Sequence, residues 1–380
     1  METRKLYYED CHLRAFSATV TGCEQDGDHW KITLDATAFY PEGGGEAPDL
    51  GILGGVNVLD VQEKDGEIFH LCDGPLTIGD TVQGEIDWAR RFDLMQQHTG
   101  EHIISGLLHE KFGYMNTGFH VGTDIMEVDF DGPVSWADLM EIEKKANQAV
   151  WENIALECWI PSPEELPTVF YRTKRELPWP VRIVRVPGYD SCACCGIHVK
   201  YTGEVGLIKI LSCTALRGGV RLEMVCGGRA YRHMAAIFEE NRKVSQAFSA
   251  PMHATGEAAG RMNDALAAEK SRAIGLQNRL LDKIAESYVN CQNVLHFESG
   301  LDGNGLRQLA DKIADLCGGR AAVFSGEEGN YGYCLAQRDG DLRELNKAMT
   351  TALNGRGGGK PQFQQGTVHA TQDQIKEFFK

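Results

Sequence analysis

The tightest constraint in this chain is a helix that has to bury two histidines. From Trp88 to about Phe112 the apolar residues follow a helical spacing, with Asp87 placed as the N-cap. On that spacing Leu94, His98, His102, Ser105 and Leu108 share one face, so both imidazoles look inward. Histidines four residues apart are neighbours along a helix and can hold a single ion. With 12 histidines in the chain, chance supplies such a pair about a third of the time. Two ordinary helix histidines therefore remain open at this point.

A second cluster changes the weight of the first. Cys194-x-x-x-His198 follows a turn-rich run at residues 187–190 and adds a thiolate and an imidazole. Two or three imidazoles with one thiolate form a borderline-soft donor set suited to zinc. A closed structural site usually needs two close-spaced ligand pairs, and no second Cys-x-x-Cys pair accompanies Cys192, Cys194 and Cys195. A catalytic zinc needs only three protein ligands. If all four residues converge, one stands aside or is displaced when substrate binds, and His198 is the expected one.

Around these clusters the chain reads as an α+β multidomain protein. At 380 residues it is long enough for about two or three domains. Residues 1–86 alternate short apolar runs with Asp-Gly turns, which is hairpin chemistry and implies a small N-terminal β barrel. Residues 87–228 mix helices with strands at about 125–130, 181–186, 206–211 and 220–225, and form the α/β zinc-binding domain. Residues 229–289 read as a helical or coiled-coil linker broken at Pro251, with Met262, Leu266, Ala273, Leu276 and Leu280 along a packing or dimer seam. Residues 290–380 form a small C-terminal α/β domain with a glycine-rich loop at 355–361.

The balance of 38 basic against 54 acidic residues, a net charge of −16, excludes a whole-surface grip on nucleic acid. Any polyanion contact has to come from local basic patches. Two such patches stand out. Arg172, Lys174 and Arg175 open a basic strip before the cysteine cluster, and Arg356 with Lys360 flank three glycines. No apolar run approaches the roughly 18 residues of a membrane helix, and the first ten residues lack the order of a signal peptide, so a cytoplasmic protein is expected. Twelve cysteines spread over a chain of this size are expected as thiols or metal ligands rather than disulfides.

Together these residues resemble a known family. His98-x-x-x-His102 followed by Cys194-x-x-x-His198 looks like the editing site of alanyl-tRNA synthetases and their free-standing AlaX relatives. Thr37, Gly43, Gly44, Gly45 and Glu46 resemble the glycine-rich motif of the β domain in long AlaX proteins, and residues 355–366 resemble the C-terminal domain of the synthetase. The family usually has Gln where Glu46 stands and Thr where Ile197 stands. With about 36 residues before Thr37, the aminoacylation domain is not expected. The resemblance implies a long-form AlaX: a trans-editing zinc hydrolase that deacylates mischarged tRNA(Ala), chiefly seryl-tRNA(Ala). It implies His98, His102, Cys194 and His198 at the metal, with His198 also catalytic, and Thr117 as the hydroxyl-reading residue. A homodimer through the helical segment or C-terminal domain is a further expectation. The alternatives are a zinc-containing RNA-binding protein without catalysis, and a phosphoesterase, against which the chain shows no Asp-His-His motif. Glu101, between the two histidines, reads as a solvated helix glutamate.

Overall fold

The computed structural model describes residues 2–173 and 177–380, so Lys174 and Arg175 of the expected basic strip lie outside the described residues. The chain divides into two compact units, Met1–Lys243 and Val244–Lys380. Several sheets and eight helices among the described residues make it a mixed α+β protein of more than one part, as expected.

In the first unit, the strands Ala15–Asp26, His29–Leu34, Glu67–Cys72, Val56–Lys64, Gly51–Leu53 and Thr81–Ile86 pair antiparallel in an order that closes on itself. Each inward face follows from strict alternation: Phe16, Ala18 and Val20 on the first strand are buried between exposed or half-buried neighbours, as are Val82 and Ile86 on the last. Asp65 and Gly66 both take positive φ, the two-residue turn that matches strand twist. A short helix, α1 (Leu6–Glu9), packs Tyr7 beneath the ring.

The long helix α2 (Trp88–Phe112) begins where the sequence places it. The Asp87 carboxylate accepts from the Arg90 amide, and Gly113 closes the helix in the left-handed conformation. Both α2 and α3 (Trp136–Glu152) accompany an antiparallel sheet in the order Ile208–Leu216, Gly219–Cys226, Met126–Phe130, Asn116–Val121. Buried side-chain amides fix both helices to strand backbone. Gln97 donates to the Cys226 carbonyl (3.1 Å) and accepts from its amide (2.7 Å), and Asn147 does the same with Ile208. A third, three-stranded sheet (Glu157–Trp159, Ile183–Val186, Asp190–Ala193) supplies the hairpin that leads into Cys194.

One hydrophobic core runs from Tyr7 to Cys226, through both the strand ring and the helix-bearing half. At that junction sits Arg91, fully buried on α2. Its Nε donates to both oxygens of Asp49 (2.8 and 2.9 Å), Nη2 donates to Asp49 and the Ala38 carbonyl, and Nη1 to the Cys11 carbonyl. Asp49 in turn accepts from the Tyr40 amide.

Helix α4 (Gly227–Ala247) follows, with the unit boundary falling inside it. The second unit contains α5 (Thr255–Glu286), after the expected break at Pro251, and a five-stranded sheet in the order Gln292–Phe297, Gly318–Glu327, Asn330–Gln337, Phe363–Val368, Arg356–Lys360. The first pair is parallel, joined by α6 (Gly303–Cys317), and the rest are antiparallel. One sheet face packs on α5 and α6, the other on α7 (Arg343–Ala352) and α8 (Gln372–Phe378). The expected glycine loop at 355–361 is instead an edge strand. Two of its glycines serve close approach: a Cβ on Gly357 would meet the Tyr333 hydroxyl at 2.0 Å, and one on Gly359 the Phe363 carbonyl oxygen at 2.2 Å. The expected seam on α5 faces outward, with Met262, Leu266, Leu276 and Leu280 each more than half exposed.

Because Asp49 would be left buried and unpaired, Arg91→Ala is expected to lower stability by about 3–5 kcal/mol, read by urea denaturation.

Candidate metal centre

Four donors converge where α2 meets the loop after Ala193. His98 and His102 lie one turn apart on α2, and Cys194 and His198 come from the loop. Their ligand atoms all fall within 4.8 Å of one another. Cys194 Sγ is 3.5 Å from Nε2 of His98 and 3.5 Å from Nε2 of His198. Zn–N and Zn–S bonds at a tetrahedral angle span an edge of about 3.6 Å, so the donor set fits zinc. The structure brings these four residues, singled out in the sequence, together at one point.

Each imidazole is oriented from behind. His98 Nδ1 meets Glu46 Oε2 at 2.9 Å, His102 Nδ1 meets Asp190 Oδ2 at 3.0 Å, and His198 Nδ1 meets the Thr99 hydroxyl at 3.2 Å. With Nδ1 engaged, Nε2 of each ring is left to the centre, the arrangement that fixes metal-ligating histidines. Burial opposes charge on His98 and His102, but the Cys194 thiolate with Glu46 and Asp190 outweighs it and pushes both up to about 10. Burial alone would raise the Cys194 thiol, yet the two rings hold it well below its ordinary value. Burial, with those same rings, holds His198 well below its own. The cluster thus keeps a thiolate at its centre and attracts positive charge.

Backbone geometry brings Glu46 to this place. Gly43 and Glu46 exchange backbone hydrogen bonds (3.1 and 2.9 Å) across a turn in which Gly44 and Gly45 both have positive φ. A side chain at either centre would be strained. Gly196 is required for a different reason: a Cβ there would meet His98 Cε1 at 2.1 Å and Glu46 Oε2 at 2.7 Å. Glu46 Oε2 also accepts from the Ile197 amide, while Oε1 is buried without a partner among the described residues. Arg182 donates to the carbonyls of Cys194 (2.9 Å) and Gly196 (2.7 Å) and lies over the Tyr8 ring, whose hydroxyl donates to the Cys195 carbonyl.

Other expected site residues land differently. Arg172 is a correction: its guanidinium is buried and bound to Asp190 through Nε (2.7 Å) and Nη2 (2.9 Å), so it braces His102's partner rather than meeting phosphate. Glu101 is a second correction, being buried rather than solvated. Thr117 is exposed on the strand beside α2, its hydroxyl donating to the Asp129 carbonyl at 3.3 Å, and Phe119, two residues on, stacks on His98. Thr37 is buried with its hydroxyl 2.8 Å from His70 Nε2, well within the ring. Arg356 and Lys360 are exposed on the second unit's edge strand. Asp190, Thr99 and Arg182 were not singled out from sequence. Asp190 closes the turn-rich run before the cysteines, and that run was the only signal for it.

Three family models match: tRNA synthetases class II (A) over residues 3–90, the threonyl and alanyl tRNA synthetase second additional domain over residues 181–222, and the DHHA1 domain over residues 283–380. These define the class that the chain resembles, the alanyl-tRNA synthetase-related proteins. Within that group it is similar to the alanyl-tRNA editing protein AlaX-L of Pyrococcus horikoshii, at 33% identity over 62% of this chain and 61% of that protein. It is 25% identical to the alanyl-tRNA editing protein Aarsd1 of Danio rerio over 95% of this chain and 93% of that one. The alanine–tRNA ligase of Pyrococcus abyssi matches at 31% over 97% of this chain but 42% of its own length. The chain therefore spans less than two thirds of AlaX-L and of that ligase.

Replacing Cys194 and His98 together by Ala is expected to abolish zinc binding in metal analysis of the purified protein. Glu46→Gln is expected to weaken zinc affinity by about 10- to 100-fold in chelator competition, the usual effect of losing a histidine-orienting partner.

Proposed function

We propose that this chain is a trans-editing hydrolase that deacylates mischarged tRNA(Ala), chiefly seryl-tRNA(Ala), with a zinc ion held by His98, His102 and Cys194 and with His198 at its edge. The observation that carries the reading is the convergence of three Nε2 atoms on one thiolate, each ring anchored through Nδ1. It occurs in a chain similar to proteins named for alanyl-tRNA editing.

Zinc bound here would supply Lewis acidity and lower the pKa of a water molecule. The chain's own residues do the rest. Glu46 and Asp190 hold His98 and His102 in one tautomer and one orientation. Arg182 and Gly196 keep the Cys194 loop against α2. His198, kept neutral by burial and by its neighbouring rings and fixed at Nδ1 by the Thr99 hydroxyl, would present an uncharged imidazole at the edge of the ion, where the catalytic role is assigned to it. Thr117 is assigned to the serine hydroxyl, because a site built around that hydrogen bond penalises alanine. The four-part division at residues 86, 228 and 289 belongs to this reading, with the N-terminal ring as a small β barrel that presents Glu46. Arg356 and Lys360 would contact RNA phosphate, and the outward seam of α5 would join two copies of a cytoplasmic protein. The non-catalytic alternative rested on departures such as Glu46, and the bond from Glu46 to His98 favours a working centre instead.

A panel of seryl-, glycyl- and alanyl-tRNA(Ala) tests the reading. Hydrolysis of the seryl ester with the alanyl ester spared is expected, and a zinc-loaded protein that leaves all three intact overturns it. Thr117→Val is expected to narrow the serine-to-alanine preference with zinc content unchanged. Replacing Arg356 and Lys360 by Ala should raise KM with little effect on kcat and flatten the salt dependence of binding.

A further inference from the structure

A cavity of about 440 Å³ opens between the first turns of α2, the end of the strand Asn116–Val121 and the start of α4. Arg90, Asp93, Arg229 and Arg232 line it, three guanidinium groups against one carboxylate, in a chain whose net charge is −16. Its described lining includes none of the four Cys/His donors.

The three arginines are of two kinds. Arg229 is committed: Nε donates to both oxygens of Asp93 (3.1 and 2.9 Å), Nη2 to Asp93 Oδ2 (2.6 Å) and Nη1 to the Gly122 carbonyl (2.7 Å). It is 7% exposed and ties α4 to α2 and to the strand end. Arg90 donates only through Nε, to the Pro48 carbonyl (3.2 Å), which steadies the group and leaves both Nη atoms without a described partner. Arg232 makes no hydrogen bond or ion pair among the described residues. Its Nη1 folds back over Gly228, where a Cβ would lie 3.3 Å away.

Helix ends sharpen the excess. Arg90 stands in the first turn of α2 and Arg229 in that of α4, and neither first turn holds an acid. The amide end of a helix favours negative charge and disfavours cations. Asp87 caps α2 and Asp93 neutralises Arg229, so Arg90 and Arg232 remain as the surplus. Guanidinium groups grip phosphate through paired N–H donors and stay charged while doing so.

The walls of this cavity are also the elements that hold His98. Leu94 precedes His98 by one turn, Ala47 follows Glu46, and Val121 lies two residues beyond Phe119, which stacks on His98. Arg90 stands about 12 Å from His98 along the helix axis, a distance that a few nucleotides of single strand bridge. Resting on the proposed activity on an aminoacyl-tRNA, we propose that Arg90 and Arg232, braced by Arg229, seat a backbone phosphate of the single-stranded 3′ end of tRNA while the terminal ester lies at the Cys/His centre. The seat takes charge and spacing rather than base identity. It sets how far the strand reaches along α2.

The test measures binding of uncharged tRNA(Ala) to the zinc-loaded full chain by fluorescence anisotropy, beside a transcript that lacks the single-stranded 3′ nucleotides. The wild-type protein is expected to bind the intact RNA more tightly. Arg232→Ala should weaken intact tRNA at least about tenfold, the scale of a hydrogen bond to a charged group, and reduce the salt slope by about 1. It should leave the shortened transcript, the zinc content and the melting temperature unchanged. Arg90→Ala should act in the same direction, and because Arg90 also holds the Pro48 carbonyl, Arg232→Ala decides alone if that variant does not fold. Inorganic phosphate at constant ionic strength is expected not to displace the RNA. Equal wild-type binding of the two RNAs, an Arg232→Ala protein that binds intact tRNA as the wild type does, an equal loss for both RNAs, or displacement by inorganic phosphate, which marks a free-anion site, would each overturn the proposal. Deacylation of seryl-tRNA(Ala), run in parallel, separates the two ideas: a loss confined to intact tRNA in a protein that leaves the ester uncleaved overturns the enzymatic reading and leaves the seat standing.

Discussion

Helix α2 buries Arg91, Gln97, His98, Thr99, Glu101, His102 and Ser105 along its length, and the architecture of the first unit follows from finding each of them a partner. A buried polar group without one costs more than the bond itself is worth. The partners come from far along the chain: Asp49 for Arg91, the Cys226 backbone for Gln97, Glu46 for His98, His198 for Thr99, Asn116 for Glu101, Asp190 for His102. These contacts position the N-terminal ring, the strand beside the helix and the cysteine loop against one another. Hydrophobic burial drives the collapse, but this list of partners selects its register.

That dependence explains what sequence could and could not disclose. Asp87, the apolar spacing and Gly113 mark α2 locally, so its bounds were legible. The same holds for the break at Pro251. Donor type and spacing single out His98, His102, Cys194 and His198 in the sequence, and the structure brings them together. Their orienting partners are ordinary Asp, Glu and Thr residues whose role depends on tertiary distance alone. Glu46 was visible only as a departure from a motif, and Asp190 as part of a turn. Arg172 misled because local composition cannot show that an arginine is committed to a carboxylate eighteen residues away. Glu101 misled for the same reason. The strand at Arg356–Lys360 was hidden because three successive glycines read as freedom, whereas here Gly357 and Gly359 permit close strand approach.

Charge inside the centre is balanced in two layers. A thiolate and two carboxylates surround three rings, and Arg172 offsets Asp190 from outside. A divalent ion at the Nε2 face would complete that balance. The net charge of −16 is thus compatible with a chain whose positive charges serve local partners, many of them carboxylates of its own.

The uninterrupted core from Tyr7 to Cys226 has a thermodynamic corollary. Glu46 hangs from the strand ring and Asp190 from a separate hairpin, so any excursion that loosens the ring withdraws the carboxylate from His98. An ion in the centre would then also suppress breathing in strands that touch no ligand, by up to the free energy of its own binding. A motif that looks like a distant ornament of the N-terminal sheet is, in this sense, one end of a clasp.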